Sequence, residues 1–139
     1  MAEIAKGIAT PSLSTPAPSF EHIIVGFLAG EDIAAGDACY VAADLTIMRC
    51  SGAAADIKAW CMGFATHPQK NGQAITIAHG VMFRYDPKTN PGGVAAPAGT
   101  RLYLSGTVAG ALADAASTGG TLPVAISMGD GRIYAKSNL

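Results

Sequence analysis

The chain is 139 residues long, half of them apolar, with 17 Gly, 8 Pro, only 14% charged residues and a formal net charge of −1. That length suits one domain around a shared core rather than two separate ones. Its nine basic residues stand singly along the sequence, which leaves no electrostatic footprint for nucleic acid or an anionic membrane, and no run of about 20 apolar residues offers a membrane span.

Residues 1–19 are rich in Ala, Ser, Thr and Pro, and Pro11, Pro16 and Pro18 rule out a regular helix across their second half. This reads as an extended or irregular N-terminal arm held in place either by its own domain or by another subunit, whose spaced residues, Ile4, Ile8, Pro11, Leu13, Pro16, Pro18 and Phe20, are candidates for contact with a neighbouring protein. Removing the arm is expected to leave a folded domain over residues 20–139. From Phe20 onward the pattern is that of strands, expected at 22–28, 37–42 and 45–50, followed by a polar loop or a short helical turn at 51–58. A central strand is expected over 60–65, with Trp60 as its core anchor. Asn71-Gly72 is the best turn signal in the chain, because both residues tolerate positive φ. Strands at 74–78 and 81–85 are broken at His79-Gly80, and residues 86–99, rich in Pro and Gly, connect two halves. The second half predicts strands at 102–104, 107–112, 122–128 and 132–135, with a tight turn at 129–131; residues 109–116 suit a short helix equally well.

Two segments share a theme. Ala34-Ala35-Gly36-Asp37-Ala38-Cys39-Tyr40-Val41 and Pro97-Ala98-Gly99-Thr100-Arg101-Leu102-Tyr103-Leu104 each place small residues and a turn glycine before a Tyr-centred strand. The expectation is a single all-β domain, a compact barrel or sandwich of short strands, built of two related units over about 23–86 and 97–136. Tyr40, Trp60, Phe64, Phe83 and Tyr103 are its expected core residues.

The chemistry is expressed mainly by omission. No glycine-rich phosphate loop, GxSxG elbow or CxxC pair is present, and the three histidines are not spaced as metal ligands. Cys39, Cys50 and Cys61 read as small buried hydrophobes of a reduced compartment. In Phe83-Arg84-Tyr85-Asp86 the two aromatics should share one face and Arg84 the other. The sequence therefore predicts no enzyme, no cofactor and no metal. Its low charge and Ala- and Gly-rich composition suit a surface that packs against protein neighbours.

The run LTIMRCSG (45–52), AWCMGFAT (59–66) and AITIAHGVMFRYD (74–86) resembles the small head-decoration, or cement, proteins of tailed bacteriophages. In the lambda-like members a comparable strand and a comparable Gly-x-Phe-Arg-Tyr ending occur, here Met62-Gly63-Phe64-Ala65 and Gly80 to Tyr85. The doubled AGD and AGT units resemble a further capsid-stabilising family of phages. The resemblance spans roughly residues 23–135, and the chain differs from the lambda-like pattern in its longer second half. It implies a β-tulip-like domain, an arm that orders on the capsid, and the major capsid protein as partner on the virion surface. Self-association as trimers at three-fold positions is implied as well. A small β-barrel or swivelling module for a carbohydrate or small acid is the alternative, since AGD-type turns occur in such modules.

Overall fold

The computed structural model describes residues 3–14, 22–90 and 92–138. In chain order these are β1 (Glu3–Lys6), β2 (Ser12–Leu13), β3 (Ile23–Ala29), β4 (Ala38–Val41), β5 (Thr46–Arg49), β6 (Gly63–Ala65), β7 (Ala74–Ala78), β8 (Val81–Arg84), β9 (Pro87–Asn90), β10 (Arg101–Leu104), β11 (Leu112–Ala113), β12 (Ala125–Ser127) and β13 (Arg132–Ala135). A 3-10 turn, Ile57–Ala59, lies between β5 and β6. The fold is all-β. Strands β3-β5-β4-β6-β7 close into a barrel, and a second sheet of eight strands runs β2-β8-β13-β12-β10-β11-β1-β9.

The two sheets repeat one pairing order. In the barrel β5, β4, β6, β7 and β3 are successive neighbours, and in the larger sheet β11, β10, β12, β13 and β8 take the same places, antiparallel at each step. Each set starts after a turn glycine with positive φ, Gly36 (80°) before β4 and Gly99 (86°) before β10. The sets differ in how their ends are treated. Strand β3 also pairs with β5, in parallel, through Leu28 with Thr46 and Ala29 with Ile47, and this closes the barrel. In the other set β8 and β11 do not meet, and β2 and β1 cover them instead.

That arrangement puts the described part of the arm in the chain's own sheet rather than on a neighbour. Strand β1 lies between β11 and β9, paired through Ile4 with Leu112 and with Thr89. Ile4 is buried in the core, Leu13 packs against it, and Pro11 is buried. A side chain on Gly36 would meet Pro11 Cβ at 2.8 Å, so the approach of Pro11 to this turn depends on the glycine. These residues are satisfied inside their own domain because an unpaired β11 edge would leave backbone groups open. Of the seven proposed arm contacts Ile8 is exposed, while Pro16, Pro18 and Phe20 lie outside the described residues.

Two apolar clusters fill the molecule. Inside the barrel are Ala29, Ile33, Cys39, Ile47, Ala65, Ile75 and Ile77. The other cluster joins the barrel's outer wall, with Ala38, Tyr40, Phe64 and Ala78, to the inner face of the larger sheet, with Phe83, Leu102, Leu104, Leu112 and Ile133. Successive residues of β4 therefore belong to different cores, which is why that strand is apolar throughout rather than alternating. Tyr40, Phe64 and Phe83 occupy the core as expected, whereas Tyr103 is only half-buried. The strand expected over 107–112 forms only at Leu112–Ala113. Before it, the Ser105 hydroxyl accepts from the backbone N–H of Thr107 (3.1 Å) and Val108 (3.0 Å), and Gly110 takes φ 78°, a turn that excludes both strand and helix.

Candidate interaction surface

Trp60 is not a core residue: it is 61% exposed. Asp56 caps the 3-10 turn by accepting from the backbone N–H of Lys58 at 3.0 Å, and the Trp60 backbone N–H closes the turn by donating to the Ile57 carbonyl at 3.1 Å. Ala59 and Cys61 on either side are buried, while the indole faces outward. Beside it stand Ile57, 48% exposed, and Leu122, 57% exposed. The loop carrying Leu122 is held against residues 52–55, with Gly119 N–H donating to the Gly52 carbonyl at 2.8 Å. A Cβ on Gly119 would lie 1.9 Å from the Ala54 carbonyl oxygen, so only glycine permits this approach.

A cleft of about 350 Å³ is lined by Ala55, Ala59, Trp60, Gly119, Thr121, Leu122 and Asn138. Asn138 donates to the Ala59 carbonyl at 2.7 Å, while its buried Oδ1 has no hydrogen-bond partner among the described residues. An unmet acceptor of this kind costs about 1–3 kcal/mol. Exposed aromatic and aliphatic groups beside a cleft are suited to gripping a protein segment.

Comparison of the chain with family models, curated proteins and solved structures finds no match.

The other polar concentration holds the fold together. Asp37, only 7% exposed, accepts from the Ala34 backbone N–H at 2.9 Å and from Lys6 Nζ at 2.5 Å. Arg49 is fixed by Glu31 through its Nη2 at 2.8 Å and its backbone N–H at 3.0 Å. Tyr85 is buried nearby, and desolvation together with the Asp37 charge pushes its phenol well above the ordinary range. Its hydroxyl is unpartnered among the described residues. These groups tie β1 to the turn before β4.

The cysteines are free and buried, and burial pushes the thiols of Cys39 and Cys50 upward. The thiolate needed for nucleophilic or metal chemistry is thereby disfavoured. Among the described residues no group of three or more His, Cys, Asp and Glu side chains is placed to hold a metal. No helix among them is long and apolar enough to cross a membrane. His79 N–H donates to the His22 carbonyl at 2.9 Å at the Gly80 turn, which hands the chain from barrel to larger sheet. In the FRYD segment Phe83 and Tyr85 are buried and Arg84 is exposed, the division that alternation predicts.

The Trp60 surface was missed because a lone tryptophan next to a hydrophobic run looks like a core anchor. The available signal was its setting between two small residues, Ala59 and Cys61, which fit a tightly packed wall better than the indole does.

Proposed function

We propose that this chain is a non-enzymatic phage decoration protein, one that binds the outer surface of a tailed-bacteriophage capsid and stabilises contacts between major capsid protein subunits. Assembly as a homo-oligomer, with trimers at three-fold positions, belongs to the same reading. The observation that carries it is the exposed Trp60 and Leu122 lining one cleft, with Ile57 exposed in the 3-10 turn just before Trp60. Patches of this kind, apolar and rimmed by polar groups, mark protein docking sites. Tryptophan is among the residues that dominate binding energy at such sites. A binder of this type works by linkage: it stabilises the shell because it binds the assembled state, and many copies multiply the effect. The main contact is thus assigned to the Trp60 surface rather than to Ile4, Pro11 and Leu13.

The test is co-sedimentation with heads of the encoding phage stripped of this protein, comparing wild type with Trp60→Ala. Wild type should bind saturably and raise the temperature at which the heads come apart. Trp60→Ala should keep its fold and bind at least about tenfold more weakly, as expected for a hot-spot residue. Absence of wild-type binding would overturn the capsid reading, and equal binding by the variant would remove Trp60 from the contact.

A further inference from the structure

Basic residues that are scattered in sequence converge on one side of the larger sheet. In β8, Val81 and Phe83 are buried while Met82 and Arg84 point the other way; in β13, Ile133 and Ala135 are buried and Arg132 and Tyr134 face outward. Ile126 of β12 and Arg101 of β10 continue the outward face, joined by the register Arg101 with Ile126, Ile126 with Tyr134 and Tyr134 with Met82. Lys136 follows Ala135 in the same alternation. Four of the chain's nine basic residues thus share a face with tyrosine, isoleucine and methionine.

Arg84 and Arg132 are direct cross-strand partners. Side chains so placed emerge on the same face with Cβ atoms about 5 Å apart, and like charges there are destabilising. Arg132 is partly compensated, donating to Asp130 Oδ2 through Nε at 3.0 Å and Nη2 at 2.8 Å. Asp86 lies 3.3 Å from Lys88 Nζ. The Arg84 guanidinium has no hydrogen bond or ion pair among the described residues. Beside the pair opens a cleft of about 600 Å³ lined by Ile8, Ser14, Arg84, Asp86, Asp130 and Arg132, together with Gly131.

We propose that this outward face docks an acidic patch of another protein, with Arg84 and Arg132 gripping one Asp or Glu side chain in the cleft. The inference deepens the decoration reading and rests on it for its biological partner, since it names the chemistry of a docked surface. A guanidinium fork matches a carboxylate through paired N–H donors, and an incoming carboxylate relieves the repulsion between the two arginines. Arg, Tyr and Met together are the composition of a protein interface. Asp86 and Asp130 at the border of the cleft would repel a run of phosphates, which disfavours a nucleic acid, yet leave room for a single carboxylate.

The test uses the full chain and poly-L-glutamate as the probe, with inorganic phosphate and oligothymidine as competitors, read from arginine Nε–H resonances and from thermal shifts. Poly-glutamate should move the Arg84 and Arg132 resonances and bind more weakly as salt rises. Arg84→Gln should bind it about tenfold more weakly, while melting at the same or a higher temperature at low salt because the like-charge pair is gone. Arg84→Lys, which keeps the charge without the fork, should fall between the two. Unmoved resonances, undiminished affinity in Arg84→Gln, or tighter binding of oligothymidine or phosphate than of poly-glutamate would each overturn the proposal. Stripped heads separate the two readings. If they bind Arg84→Gln as well as wild type, this face is not the docking face and the decoration reading survives. If Arg84-dependent poly-glutamate binding occurs without head binding, the acidic partner stands and the capsid reading falls.

Discussion

Asp37 joins three distant parts of the chain through one carboxylate. It follows the turn at Gly36, accepts from Ala34 and Lys6, and sits under Gly110, where a Cβ would come within 2.9 Å of its Cγ. Gly110 already takes φ 78°, so a side chain there would be both strained and obstructed. The Lys6 ammonium is the countercharge that makes burial of Asp37 tolerable. Breaking a fully buried pair by removing one partner costs about 3–5 kcal/mol. The Lys6 side chain retains 22% exposure, so Lys6→Ala should cost less, about 2–3 kcal/mol. Urea unfolding of the variant measures this, and a loss below about 1 kcal/mol would mean that water serves Asp37 as well as Lys6 does. In sequence Asp37 stood out only as part of a turn, because nothing local indicates that its partner lies 31 residues earlier.

Strands that carry several apolar residues in a local pattern were legible, and those that hold one large apolar residue or none, β1, β2 and β9, were not. Strand β13 was expected over the residues it occupies, and the break between β7 and β8 falls at His79-Gly80 as read from the glycine. The turn at Asn71-Gly72 joins β6 to β7, with Gly72 at φ 88°. Strand β1 carries a single large apolar residue, Ile4, in the sequence EIAK, and its pairing with Ala113 and Asn90 spans most of the chain. Local periodicity holds no trace of such a partner, so the segment read as an arm. The structure makes a different prediction for its removal. A chain starting at Phe20 loses β1 and β2, opens the β11 edge, uncovers β9 and leaves a void where Ile4 was buried, a change of about 2–5 kcal/mol for that side chain alone. It should show poorly dispersed amide resonances and no cooperative melt. A sharp melt near the full-length temperature would return residues 3–14 to the status of a detachable arm.

At the scale of the whole molecule, the repeated strand order does not produce two independent bodies. The larger core takes Tyr40 and Phe64 from the barrel and Phe83, Leu102, Leu104 and Ile133 from the other sheet, so the larger sheet buries its inner face only against the barrel, which also holds a cluster of its own. Phe64 and Phe83 meet across this core, one from β6 and one from β8, with ring centroids 6.1 Å apart and planes tilted by 46°. A tilted aromatic contact at this separation adds to what burial alone contributes. A decoration role needs this coupling, because a clamp that yields at its own midline transmits no load between the subunits it joins. Phe64→Ala should cost about 3–5 kcal/mol, a large part of the stability of an ordinary domain. The distribution of that cost is the informative measurement. If the molecule opens as one cooperative unit, native-state hydrogen exchange should accelerate in β12 and β13 as much as in β4 and β7, although Phe64 belongs to the barrel. Acceleration confined to the barrel strands would show that the repeated units open separately and that the shared core is a contact between two domains.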